Sequence, residues 1–436
     1  MLKRRSSIRF FRVPPFAVFF KRVWFFLMFA IVLSSAYGQD NAEKSPFDTL
    51  VLKIAVFGPS DEIFIWWGHA ALIVENTRWN YSRVFDWGTF TYPSDDFLKD
   101  FLSQQVRYKC VSGGLFLNEY IDEDRDITVY TLNLDNDAKK IIMDYAENNV
   151  LPENCYYEYH EFRDNCATRI RDIIDMGTGG QLKAALGSVP GRFSIRQHVR
   201  RHTWSRPVSD WLLGFMMGQD LDEKITPWDE MFLPVEIARN IVDFTYTDSD
   251  GVERKLVNSA QILYSSKNRQ PVLSEPLTTW PFALTAGLIA SVLIFFIKDI
   301  RKKYPRLSRI LLGICHSLLG LFLGICGSAL VFGFFMDNDY FKQNANILFV
   351  NPLLLAITPL GILYAANKQF RLTPEKCLRV LWTYVFIAGG ITVLARALPF
   401  FYQQNQSVQG IVLPIALALS DIPEQLLKFK RGVKRI

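Results

Sequence analysis

Cys166 is the residue around which a reaction can be built. It opens a run in which Ile170, Ile173 and Ile174 recur at helical spacing, and Gly177, Gly179 and Gly180 then stop the helix. Asp164 or Asn165 supplies the N-cap. A thiol in the first turn of a helix faces the positive end of the helix dipole, which favours the nucleophilic thiolate. The competing reading is a small buried hydrophobe, the fate of most free cysteines. A cysteine nucleophile needs a base. His69 stands after Gly68 at the mouth of an apolar strand, which would hold it rigid within reach of a helix start; its alternative is a core histidine bonded to backbone. His160, in a tyrosine-rich run, reads as surface or packing. His198 and His202 share a face with Arg196, Arg200 and Arg201, and no carboxylate follows at ligand spacing, so this reads as a solvated basic face. Asp86, in the strand after the histidine strand, is the candidate to orient the imidazole, with Tyr81 as a second candidate; an exposed strand-end carboxylate is the alternative for Asp86.

The elements that must position these residues lie in 39–279. Strand signals cover 49–57, 69–75, 83–90, 106–111 and 127–134, and helix signals cover 138–149, the Cys166 helix and 231–244. Residues 178–230 read as irregular. Strands outnumber helices in the middle of this part, which makes it α+β. Of six cysteines, Cys110, Cys155 and Cys166 fall here. No CxxC or Cys/His spacing suits zinc, so no metal or other cofactor is expected, and Cys110 and Cys155 can pair while leaving Cys166 free.

The chain has 436 residues, is 50% hydrophobic and carries a net charge of +6. The apolar excess sits in 1–38 and 280–430. No dense basic face accompanies the charge, which argues against nucleic acid as a partner. Residues 1–38 have a basic start, the apolar run 23–34 and a small-residue exit, as in a signal peptide or an N-terminal membrane segment. Apolar runs at 282–297, 310–335, 347–366, 378–400 and 411–427 predict a membrane domain of about five helices over 280–436. The loop 298–309 holds six basic residues against one acidic, 367–379 is basic again, and the tail 428–435 has five positive charges. Basic loops prefer the cytoplasm, so the expected topology puts 39–279 outside and the C-terminus inside.

Several of these residues also carry a resemblance. Trp67-Gly68-His69-Ala70-Ala71-Leu72, Phe85-Asp86-Trp87-Gly88-Thr89-Phe90, Arg125 ahead of its strand, Asp164-Asn165-Cys166-Ala167-Thr168-Arg169 and Met231-Phe232-Leu233-Pro234 resemble, in order, the periplasmic domain of the Lnb (lipoprotein N-acylation transferase) family. Trp67 stands where the family commonly has Phe. The resemblance implies a circularly permuted papain-like fold, related to lecithin:retinol acyltransferases and followed here by an all-α transmembrane bundle. It implies that Cys166, with His69 as base, takes an acyl chain from a membrane lipid ester as a thioester. The chain then passes to the N-terminal amine of a diacylated lipoprotein, at the periplasmic face of the inner membrane. Asn165 or Arg169 would help meet the oxyanion. Arg125 and Arg169 would position the domain against lipid phosphate, or pair with nearby acidic residues. A phospholipase or cell-wall peptidase on the same fold, or a non-catalytic envelope receptor, are the rival expectations.

Overall fold

The computed structural model describes residues 45–90, 106–114, 116–336, 339–367, 373–398, 400–423 and 425. The expected signal at 1–38, residues 368–372 of the basic loop 367–379 and the basic tail lie outside the described residues. The chain divides into residues 1–49, of which the 3-10 turn Pro46–Thr49 is described, and residues 50–436.

Among the described residues of the second unit there are nine strands: β1 (Leu50–Phe57), β2 (His69–Asn76), β3 (Tyr81–Phe90), β4 (Arg107–Gly113), β5 (Ile127–Leu132), β6 (Tyr156–Glu158), β7 (Thr245–Thr247), β8 (Glu253–Lys255) and β9 (Val257–Tyr264). Seven of them form an antiparallel sheet in the order β6-β4-β3-β2-β1-β5-β9, while β7 and β8 pair separately. Side chains alternate across the central strands. Leu52, Ile54, Ala70 and Leu72 pack with Ile142 of α2 (Asn136–Asn149) and with Ile170, Ile173 and Ile174 of α3 (Cys166–Gly177). Ala55, Phe57, Ala71 and Ile73 face α1 (Leu117–Asp122). Burial on both faces explains why β2 is almost wholly apolar. Each fully buried isoleucine of α3 stabilises its docking by roughly 1.5–3 kcal/mol.

Residues 178–230 are not irregular. They fold into α4 (Gln181–Leu186), α5 (Ile195–Thr203), α6 (Pro207–Met216) and α7 (Pro227–Glu230), ahead of α8 (Pro234–Ile241). Nor is the basic face of α5 solvated. Arg196, His198, Arg201 and His202 are all buried. Arg196 pairs with Asp222 at 2.7 Å and Arg201 with Glu236 at 2.6 Å. These carboxylates arrive from well downstream, beyond the reach of local periodicity. The sequence reading also missed β9, which pairs with β5 at the edge of the sheet.

The C-terminal half is helical: α9 (Trp280–Asp299), α10 (Pro305–Phe334), α11 (Ile357–Ala365), α12 (Pro374–Ala395) and α13 (Gln406–Leu419). Among the described residues three helices, α9, α10 and α12, are long and apolar enough to cross a membrane. The run 347–366 is broken instead. Asn351 caps a 3-10 turn at Pro352–Ala356, and only then does α11 begin. The segment still lies along α10, on a stripe of small residues at Gly313, Gly320, Gly324 and Gly327; a Cβ on Gly320 would come within 2.6 Å of Ile357. The 14 residues of α13 span about 21 Å, short of a hydrocarbon core of about 30 Å. Two polar side chains in the apolar runs find partners: Trp382 donates to His316 Nδ1 at 2.9 Å, and Arg396 bonds Asn405 at 2.6 Å and Gln409 at 2.8 Å. Asn344 Nδ2 donates to the carbonyl of Phe215 at 2.8 Å, which ties the helical half to α6.

Candidate active site

The first turn of α3 is built by a capping box. The Asn165 side chain accepts from the Thr168 N–H at 2.9 Å, and the Asn165 N–H donates to Thr168 Oγ1 at 2.7 Å. The N-cap is therefore Asn165. Its Nδ2 donates to the carbonyls of Glu161 at 2.7 Å and Phe232 at 3.1 Å. Cys166 follows in the first helical turn, partly exposed and free.

His69 is the first residue of β2. The turn before it needs Gly68, whose φ is +84° and whose Cβ would come within 2.6 Å of the Phe57 carbonyl. The ring stacks on Phe57 with centroids 5.9 Å apart. His69 Nε2 meets Asp86 Oδ2 at 2.9 Å, and the imidazole also hydrogen-bonds Cys166, which leaves Nδ1 as the nitrogen for the sulfur. Asp86 Oδ1 accepts from the Gly88 N–H at 2.6 Å. The β3–β4 register slips between Asp86 and Thr89, and such an irregularity re-aims side chains beside it. Burial alone would push His69 down. The charges and hydrogen bonds of Asp86 and Cys166 outweigh it and hold the imidazole well above its ordinary value. Burial likewise pushes the Asp86 carboxyl up, but His69 and the Gly88 N–H hold it below its ordinary range.

Gly88 leaves no room for added volume beside the imidazole. A Cβ there would lie 2.3 Å from His69 Cε1, inside any real contact. Gly88→Ala is expected to turn the imidazole away from Cys166 and lower kcat by about 10²-fold, since misplacement of about 1 Å has that effect. A circular-dichroism melt should show the sheet still folded; wild-type kcat in this variant would refute the placement of the ring.

The other sequence candidates are distributed unequally. Arg169 grips Asp164 with two bonds, at 2.5 and 2.6 Å, and lies over the Tyr157 ring, so its guanidinium is committed to bracing α3 rather than to an oxyanion. Asn165 lines the cavity, but its amide is spent on the cap and on two carbonyls, which removes it as an oxyanion donor. Arg125 is buried, donates to the Gly58 carbonyl at 2.9 Å and to Glu123 at 3.2 Å, and keeps a buried Nη2 without a hydrogen-bond partner in the same cavity. Tyr81 is not at the site. It is exposed and pairs with Asn76 at the far end of β2 from His69. Cys110 and Cys155 are free buried thiols, with the Cys110 N–H donating to the Cys155 carbonyl at 2.8 Å.

His69, Asp86 and Cys166 open into one cavity of about 420 Å³. Its walls are mostly apolar, among them Phe64, Trp67, Phe162, Met216 and Phe232. Tyr340 and Phe341 join them from the segment after α10. Tyr340 packs edge-on to Phe162 at 4.9 Å and to His160 at 5.3 Å. Sequence reasoning missed both residues, because nothing local links a loop of the helical half to a strand some 270 positions earlier. A second apolar cleft of about 550 Å³ lies beside α6, between Trp211 and Leu212 and the residues Phe282, Phe322 and Ile411 of the helical half.

His202 of α5 steadies the histidine strand from behind. Its Nδ1–H donates to the Trp66 carbonyl at 3.0 Å, and its Nε2 is buried without a partner. Burial, the largest influence, holds it down to about 3, so it folds neutral. An unfolded histidine protonates near pH 6.5. The unfolded state therefore binds the extra proton as pH falls, and stability is lost from pH 6.5 downward until the folded value is reached. Between pH 6.5 and 5 this residue alone should remove about 2 kcal/mol. Thermal melts of wild type and His202→Gln across that range test it: the variant should show a shallower decline, and parallel curves would contradict the assignment.

Residues 39–201 match the family model for the Lnb N-terminal periplasmic domain. No curated protein and no solved structure matches the chain significantly.

Proposed function

Because residues 39–201 match the model of the Lnb N-terminal periplasmic domain, we propose that this membrane protein is a thiol-dependent acyltransferase that N-acylates lipoproteins. The observation that carries the proposal is the Cys166–His69–Asp86 set opening into an apolar cavity that the helical half helps to wall. The histidine strand precedes the cysteine helix, the chain order of a permuted papain-like domain.

The Cys166 thiolate, paired with the imidazolium of His69, attacks the ester carbonyl of a membrane lipid. The backbone N–H of Cys166, in the first turn of α3, has no intrahelical acceptor and is the donor this mechanism assigns to the developing oxyanion. Collapse breaks the ester C–O bond, and the leaving alkoxide takes the His69 proton. The acyl chain stays on sulfur, packed among the cavity's aromatic and aliphatic walls. Those walls keep water from the thioester. A diacylated lipoprotein then presents its N-terminal amine, which displaces the thiolate and forms the amide. Arg125, a buried lining residue with an unpartnered Nη2, is suited to a lipid phosphate that enters the cavity. The cleft beside α6 opens among the membrane helices and gives lipid chains a place next to the site. Three helices able to cross a membrane suit a lipid substrate better than a soluble wall polymer. The reading places the protein in the inner membrane with the domain periplasmic and the C-terminus cytoplasmic.

The test is to incubate purified full-length protein with phospholipid and a diacylated lipopeptide and follow the peptide's N-terminus by mass spectrometry. An added acyl group on the amine supports the proposal. Free fatty acid without amide indicates a lipase, and cleavage of muropeptides in a parallel reaction indicates a peptidase.

A further inference from the structure

Glu161 lines the same cavity as Cys166, His69, Tyr108 and Tyr159. Tyr108 and Tyr159 stack on each other with centroids 3.9 Å apart in this lining, and both lie within electrostatic reach of Cys166 and Glu161. Its side chain is partly open to the cavity, while Oε2 is buried and has no hydrogen-bond partner. The nearest basic group does not satisfy it. His160 Nδ1 lies 3.8 Å from Oε2, and that nitrogen already accepts the N–H groups of Phe162 at 3.2 Å and Arg163 at 3.3 Å, so it has no proton to give. Arg163 lies over the Tyr340 ring. The cavity's other carboxylate, Asp86, is engaged by His69, with Arg125 nearby. A buried carboxyl oxygen without a partner is costly, and proteins keep such groups where a ligand completes them.

We propose that Glu161 is the acceptor-amine site: its carboxylate binds the α-ammonium of the incoming lipoprotein and removes the proton that blocks attack on the Cys166 thioester. This rests on the acyl-transfer reading above. An α-amino group titrates near 7.7–8.0, so at neutral pH it arrives mostly as the non-nucleophilic ammonium. Glu161 takes one proton and becomes the neutral acid. The freed nitrogen pair attacks the acyl carbon, and a C–N bond forms. The second N–H proton passes to neutral His69, the C–S bond breaks, and the thiolate returns to its imidazolium partner. Glu161 releases its proton to solvent as the amide leaves. Burial pushes the Glu161 carboxyl up, which makes it a stronger base for this step.

The two half-reactions separate this proposal from the one beneath it. Full-length Glu161→Gln and Glu161→Asp are compared with wild type, using phospholipid as donor and a synthetic diacylglyceryl-cysteinyl peptide as acceptor. Intact-protein mass follows the hydroxylamine-labile acyl group on Cys166, and peptide mass follows the amide. Glu161→Gln should form the thioester at the wild-type rate and accumulate it. Amide formation at pH 7 should fall about 10²-fold, with a raised KM for the peptide and recovery toward pH 9 as free amine becomes abundant. Glu161→Asp, which keeps the charge, should fall between the two. Wild-type amide formation in Glu161→Gln overturns the proposal, as does loss of thioester formation in both variants. Failure of wild type to form a thioester would instead reject the acyl-transfer reading itself.

Discussion

Cys166→Ala should abolish both the acyl-enzyme and the N-acylated product, and His69→Ala should slow thioester formation by about 10²–10⁴-fold. The alanine at 166 removes the only atom that can carry the acyl chain in this mechanism. It removes little else: the side chain is partly exposed, and α3 is anchored by Ile170, Ile173 and Ile174 and by the Asn165–Thr168 cap. Folding should therefore survive, with a loss of less than about 1 kcal/mol. In His69→Ala the thiol loses both its proton acceptor and its cationic partner. Wild-type protein incubated with phospholipid should gain the mass of one acyl chain, which hydroxylamine removes. Wild-type turnover in either variant would dismiss this pair as nucleophile and base.

The core of the site was legible because its signals are local. The 3.6-residue recurrence of isoleucine and the glycines at 177, 179 and 180 define α3, and the apolar run after Gly68 defines β2. Asp86 was a reasonable partner because a strand pairs with the next one along the chain, which brings β3 beside β2. The choice between Asp164 and Asn165 as cap was not legible. Both have capping side chains, and the outcome depends on Asp164 being drawn into its bond with Arg169. Tyr81 failed because distance along a strand matters as much as strand identity: it lies in the correct neighbour but at the opposite end. The helix α5 was misjudged for a different reason. Its arginines and histidines look solvated until Asp222, Glu230 and Glu236 close over them, and those contacts depend on how the chain folds back. The run 347–366 misled in the same way. Its hydropathy suits a continuous span, but Asn344 and Asn351 cap 3-10 turns at Ala345–Leu348 and Pro352–Ala356, and Asn346 donates to the carbonyl of Phe215.

Asp86→Asn should move the alkaline limb of the pH–rate profile to lower pH and reduce kcat/KM at pH 7 by about 10²-fold or more. In the wild type, burial opposes the imidazolium, and Asp86 and Cys166 together overcome that opposition. An asparagine can still hold the ring by a hydrogen bond, but it brings no charge. Burial then faces Cys166 alone, His69 loses its proton earlier on the way up in pH, and the thiolate loses its counter-ion with it. The stability profile carries the same information. A histidine with a raised folded value contributes stability that is fully present below its unfolded value near 6.5 and is lost as pH rises through the folded one. A carboxylate with a depressed value contributes above its unfolded value near 3.9 and loses that contribution as pH falls through the folded one. Both contributions are in force together between about pH 4 and 6.5, so wild type should exceed Asp86→Asn most in that window and converge with it at higher pH. Melting curves in detergent from pH 4.5 to 9, beside kcat/KM over the same range, measure both effects. An alkaline limb that stays in place would show that Asp86 fixes the position of His69 without setting its charge.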